Sequence, residues 1–126
     1  MGLSTYSRNG IANGFINGVP FVVPVQCFSL HDGNPGDEGT NAATTLIGTG
    51  EERAQVTSSD ATTGSTASTG DPATWSITEA ATITYLGQHD AFSAGNWLGA
   101  IPVDQPVTVA DGDIVTLSSF TATMGA

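Results

Sequence analysis

The sequence predicts an all-β fold: an antiparallel β-sandwich of jelly-roll or Greek-key-like order, led by a short N-terminal helix or extended anchor. Three observations carry this. Only 11% of the 126 residues are charged. The helix formers Glu, Lys, Arg and Leu are scarce, and Thr, Ser, Ala and Gly take their place. Threonine's stiff, branched Cβ suits a half-buried pleated surface. Apolar residues recur at period two in several stretches, and Asn34-Pro35-Gly36 and Asp111-Gly112 punctuate them as turns. The length suits one domain with a single core. Residues 1–18 form an N-terminal helical or anchor segment, and residues 19–126 form the sandwich.

In chain order, residues 3–17 have the marks of a short helix. Ser4 is an acceptable N-cap, and Leu3, Ser7, Ile11 and Phe15 share one face at four-residue spacing, with Ile16 alongside. Gly10, Gly14 and the asparagines Asn9, Asn13 and Asn17 weaken it, so it must pack on its own sandwich or on a neighbouring subunit. The same composition predicts that the segment is unordered before assembly. The Gly10-Gly14-Gly18 spacing is that of close-approach helices, a weak signal in a chain like this one.

Val23, Val25 and Cys27 alternate with Pro24, Gln26 and Phe28, the spacing of a strand with one buried face that delivers an acidic loop at residues 32–38. Ser58 to Pro72 is low-complexity and nearly free of apolar anchors. It reads as a long loop with one short strand inside it, or alternatively as a flat edge strand. Strand signals sharpen from Trp75 onward. Ile83, Tyr85 and Gly87 alternate with Thr82, Thr84 and Leu86, and Trp97, Gly99, Ile101 and Val103 share a side, with a turn at 90–95 between them. Asp111-Gly112, between 106–109 and 114–124, favours a type I′ hairpin.

Charge and cysteine usage exclude several classes of partner and chemistry. Arg8 and Arg53 are the only permanent side-chain cations and the net charge is -10. Such a surface repels phosphate, which argues against nucleic acid and anionic membranes as partners. The spread of the acids suits a solubilising surface, with docking on a basic patch of another protein as the alternative. One cysteine, Cys27, rules out a disulfide framework and reads as a small buried hydrophobe. Neither a signal peptide nor a transmembrane stretch is expected, so synthesis in a cytoplasm is the expectation.

Three constellations could carry chemistry, and each has a plainer explanation. Asp32, Asn34, Asp37 and Glu38 place four oxygen-bearing side chains within seven residues, enough to suggest Ca²⁺ as a side reading. Their spacing is not that of a calcium hand and Pro35 stiffens the middle, so no metal and no cofactor are expected. Cys27 with His31, or Ser29 with His31 and an acid, lie two or four residues apart on one strand, where side chains point the same way. No nucleophile elbow accompanies them, so no catalytic residue is expected and His31 reads as a satisfied loop histidine. His89-Asp90 reads as the opening of a turn. Trp75, Tyr85, Phe92 and Trp97 could form a stacking platform for a sugar ring. Tyr85 and Trp97 fall on regular strands and should be core, whereas Trp75 and Phe92 should be exposed.

The chain also resembles a known family. SLHDGNPGDEGTN, residues 29–41, resembles the "LHTADPG...G...NE" signature of small tailed-bacteriophage virion proteins usually labelled tail fibre or minor tail proteins. ERAQV at 52–56 is similar to that family's "YARQAV" strand, and ATITYLGQHDAFSAGNWLGA at 81–100 to its "VTHVGLFDAATGGNLLFYGA". VTVADGDIVTLSSFTATM at 107–124 resembles its last hairpin, and the family's better helix in the N-terminal segment supports a helix here. Glu51-Glu52 and Gln88-His89 depart from the pattern.

The resemblance implies a non-enzymatic virion protein of tail fibre, head fibre or capsid decoration type, assembled in the host cytoplasm and exposed on the particle. Its partners would be other virion proteins of the capsid or tail. A homo-oligomer is expected, with a trimer the arrangement known from fibres. The alternative is a carbohydrate-binding module that recognises a host surface glycan. Phe15, Trp75 and Phe92 are the candidate ligand or partner contacts.

Overall fold

A computed structural model describes residues 2–48, 53–61, 65–70, 72–118 and 121–123. The predicted helix and sheets are both present. The elements are β1 (Gly2–Leu3), α1 (Thr5–Asn17), β2 (Cys27–His31), α2 (Ala42–Thr45), β3 (Ala54–Gln55), β4 (Thr57–Ser58), β5 (Ser65–Thr69), β6 (Ala73–Ser76), β7 (Ala81–His89), β8 (Trp97–Val109), β9 (Ile114–Leu117) and β10 (Thr121–Thr123). Among the described residues the strands pair antiparallel, in sheets of order β1-β8-β7-β2-β3, β10-β5-β4 and β6-β9. The fold is all-β with a short N-terminal helix, as the composition predicts.

The core lies between the five-stranded sheet and β6-β9. Phe28, Leu30, Ile83 and Leu86 meet Ala73, Trp75 and Ile77, with Val115 and Leu117 packed alongside. Strict alternation along β7 would put Ile83 and Tyr85 on one face. Instead the register slips between them, pairing Ile83 with Val107 but Tyr85 with Pro102. This bulge reverses the side-chain parity, so Ile83 and Leu86 both reach the core. Tyr85 and Trp97, expected in the core, are only partly buried and sit outside it.

Other expectations need correction. The strand expected from Val23 begins only at Cys27. Cys27 is fully buried but outside the Phe28 core, because successive residues of β2 alternate across the sheet. Asp111-Gly112 does not close a type I′ hairpin. Gly112 has φ +93°, Asp111 does not share the positive sign, and the turn is closed by Asp113 N donating to the Ala110 carbonyl at 3.0 Å. The chain there leaves β8 for β9, which pairs with β6 rather than with β8. Ser58 to Pro72 contributes strand residues to both β4 and β5; its residues 62–64 and 71 lie outside the described residues, as do Glu51 and Glu52.

The helix α1 is tied to the sheet at its start. Ser4 Oγ accepts from Ser7 N at 3.2 Å and donates to the Trp97 carbonyl at 2.7 Å, while Ser7 Oγ donates to the Leu98 carbonyl at 2.7 Å. Gly18 caps the C-terminus in the left-handed conformation, with φ +67°. The chain then turns back so that the Phe21 ring lies on Gly10, where an added Cβ would run into ring carbon Cδ2. The Gly10-Gly14 spacing therefore serves this return segment and not a second helix.

Candidate functional site

On the sheet face opposite the hydrophobic core, β2 and β7 carry a buried polar cluster. Cys27, Ser29 and His31 alternate away from Phe28 and Leu30, and the pairing of β2 with β7 sets Cys27 opposite His89 and His31 opposite Tyr85. Ser29 Oγ lies 2.7 Å from Nε2 of His31 and 2.8 Å from Nε2 of His89. Nδ1 of His31 is 2.9 Å from Thr45 Oγ1 in α2, and Thr45 Oγ1 donates to the Asn41 carbonyl at 3.1 Å.

This network assigns the protons. Thr45 spends its own proton on Asn41 and so accepts from Nδ1–H of His31, an arrangement the nearby Ala42 carbonyl also favours. Nε2 of His31 is then an acceptor for the Ser29 hydroxyl, and Ser29 accepts in turn from Nε2–H of His89. Every link is satisfied with both imidazoles neutral.

Burial enforces that neutrality. Desolvation lowers His31 to about 4. It lowers His89 to about 3, with the charge of Arg53 and the neighbouring His31 adding to the effect and Asp90 opposing it. Burial pushes the Cys27 thiol up, against a smaller pull from Arg53. Asp90 lies below the usual carboxylate range: burial raises it, but hydrogen bonds from Asn96, side chain and backbone, outweigh that. Asp90 thus builds the 90–96 turn, as its place after β7 suggests.

The loop at 32–46 covers this cluster. The Trp97 ring meets His89 and His31 edge-on, with centroids 5.0 and 5.8 Å away, and its Nε1 donates to the Asp37 carbonyl at 2.9 Å. Gly39 packs on the ring with φ +69°, where a Cβ would run into Cδ2 of Trp97. Glu38 reaches α1, accepting from Thr5 N and Thr5 Oγ1 at 2.6 and 2.7 Å, with Arg8 at 3.6 Å. The Thr5 hydroxyl and amide, with Arg8 beside them, hold its carboxyl below the usual range.

Between loop and sheet is a cavity of about 350 Å³, lined by Ser29, His31, His89 and Arg53 below and by Thr40, Ala42 and Leu46 among the residues above. Arg53 is held in place by NH1 donating to the Ala91 and Ala94 carbonyls at 2.9 and 2.8 Å.

The residues singled out from the sequence are distributed as follows. The four oxygen-bearing residues of the acidic loop do not converge. Asn34 Oδ1 accepts from Gly36 N in a tight turn, and Glu38 is spent on α1. Among the described residues no group of three or more His, Cys, Asp or Glu is arranged to hold a metal. Trp75, expected to be exposed, is 4% exposed, because alternation in β6 turns it inward and its Nε1 donates to the Phe28 carbonyl. Phe15 and Phe92 are exposed. His31 and His89 are buried and hydrogen-bonded at strand ends, not in solvated loops. A long stretch of chain separates these two histidines, so nothing in their sequence neighbourhoods shows that they share one serine. The period-two spacing of Ser29 and His31 is the one local signal of the cluster.

Chemically, the Ser29–His31 contact resembles a nucleophile and its base. An imidazole held near 4, oriented by a hydroxyl and with no carboxylate to stabilise its cation, is a weak base. The arrangement suits hydrogen bonding and binding better than turnover.

The fold is a β-rich module, and its buried polar cluster is a hydrogen-bonded network. Residues 2–125 match the family described as "Podophage GP4 fiber I protein gp80", and the chain belongs to that family. It is thereby a phage fibre structural protein, a component of the virion associated with other virion proteins. The match bears out a phage fibre family and does not bear on the particular LHTADPG-type signature. No curated protein matches the chain.

Proposed function

We propose that this chain is a surface-exposed fibre or decoration component of a tailed-phage virion, of tail fibre, head fibre or capsid decoration type. It acts by self-association and by docking on other virion proteins, without turnover. One observation supports this most: an unpartnered apolar stretch along α1 and the segment after it. Phe15 is 86% and Ile16 71% exposed, and Ile11, Val19 and Val22 are exposed beside them. Exposed apolar residues gathered within a dozen positions are what an interaction surface offers, and isolated ones are not. Burying Phe15 and Ile16 would contribute about 1.5–3 kcal/mol each.

Sedimentation velocity at micromolar concentration tests this. The wild-type chain should form a closed oligomer, with a trimer expected, and Phe15→Ser with Ile16→Ser should yield a folded monomer. A wild-type chain that stays monomeric and does not bind particles lacking it would sink the proposal.

Host-glycan recognition is the second reading. Phe92, 54% exposed in the 90–96 turn, supports it, while the burial of Trp75 removes the other ring of the platform. Loss of millimolar sugar binding in Phe92→Ala would favour it.

A further inference from the structure

The chain holds twelve Asp and Glu against four basic side chains, Arg8, Arg53, His31 and His89. Three of those four line one cavity, and its lining contains no carboxylate among the described residues. In a chain of net charge -10 this concentrates nearly all the potential positive charge at one place. From this juxtaposition we infer that the cavity between the 32–46 loop and β2/β7 is a binding site for a compact carboxylate, held by Arg53 and His89, with His31 orienting the chain of hydrogen bonds behind them.

The geometry supplies what such a ligand needs. The volume of about 350 Å³ falls at the small end of ligand pockets, the size of a single sugar acid rather than an oligomer. The wall combines apolar Ala42 and Leu46 with the hydroxyls of Ser29 and Thr40. The hydrogen-bond chain from His31 to Ser29 to His89 leaves Nδ1 of His89 as an acceptor beyond its bond to Ser29. A neutral acceptor repels a carboxylate oxygen, whereas a protonated Nδ1–H donates to it. Binding therefore draws a proton onto the histidine pair, and the imidazolium, costly in the empty site, gains a counter-charge.

The other titratable groups facing the pair are few. Cys27, whose thiol burial pushes up, stands across from His89 and Tyr85 across from His31, while Arg53 opposes protonation until an anion arrives. Asp90 beside His89 has its carboxylate bonded to Asn96. The sign follows. The free histidines are neutral throughout pH 5.5–7.5 and the bound ones carry a proton, so affinity rises as pH falls, by about tenfold per pH unit for one proton taken up.

The test is an NMR titration of the intact chain with sodium galacturonate and with galactose, its neutral counterpart, at constant ionic strength. It does not depend on the fibre reading, since it needs neither oligomer nor virion. Galacturonate should give saturable shifts at His31, His89, Ser29 and Thr40, with about a hundredfold lower Kd at pH 5.5 than at pH 7.5. Galactose should give none, and His89→Gln should flatten the pH dependence. No saturable shift at these residues, equal binding of galactose, or binding of galacturonate independent of pH would each overturn the inference.

Discussion

The buried histidine pair makes the stability of this chain depend on mild acid. In the unfolded chain both imidazoles titrate near 6.5; in the folded chain they are held at about 4 and about 3. Between those values the unfolded state binds protons that the folded state refuses. Their full contribution is present above 6.5 and is withdrawn as pH falls below it. Integrating from pH 7 to pH 5 gives about 2 kcal/mol for each imidazole and about 4 kcal/mol for the pair. That is a large share of the roughly 5–15 kcal/mol that holds a domain folded.

Two other effects act in or near this range. Relief of self-repulsion in a chain of net charge -10 works in the opposite direction. The lowered carboxyls of Glu38 and Asp90 lose their contribution only as pH falls through the ordinary carboxylate range and below it, so they act later. Urea denaturation followed by far-UV circular dichroism reads the sum. With a slope of about 2 kcal/mol/M, the histidines alone lower the midpoint by about 2 M from pH 7 to pH 5, and relief of self-repulsion offsets part of that fall. His89→Gln should lose about half of that pH dependence, which separates the histidine effect from the general charge. A wild-type midpoint that responds to pH just as that of His89→Gln does, or imidazole resonances titrating near 6.5, would show that burial does not hold the pair neutral.

Other consequences can be checked singly. Gly39→Ala should destabilise by about 2 kcal/mol or more, since it adds a methyl against the Trp97 ring at a left-handed backbone position, and it should alter the near-UV circular dichroism of that indole. Trp75→Ala should cost about 3–5 kcal/mol in thermal or urea unfolding, as expected for a buried core ring and not for an exposed contact. Ser4→Ala should cost about 1–2 kcal/mol by removing both the cap of α1 and its tether to the Trp97 carbonyl, and amide exchange in α1 should quicken before the rest of the chain.

Local chemistry makes some of this fold legible. Ser4 announces the start of α1, and Asp90 announces the turn that joins β7 to β8. Alternation predicts strands in the second half but not which face each residue takes. The bulge after Ile83 depends on cross-strand pairing with Val107 and Pro102, which no window of sequence contains. Trp75 departs from expectation for a similar reason: it follows the low-complexity stretch that ends at Pro72 and so reads as exposed, whereas partners as far as Phe28 set its burial. The candidate site is the least legible region. Ser29 and His31 can be paired on one strand by period two, but His89, Trp97, Arg53 and Thr45 join them only through the fold.

As a phage fibre structural protein, this chain should be built into the virion itself. Quantitative mass spectrometry of gradient-purified virions, counting this chain against the major capsid protein, tests it most directly. A structural component should show a fixed copy number tied to particle symmetry: a small multiple of the tail symmetry for a fibre, or on the order of a hundred or more for a head decoration. Absence from the purified particle would contradict it.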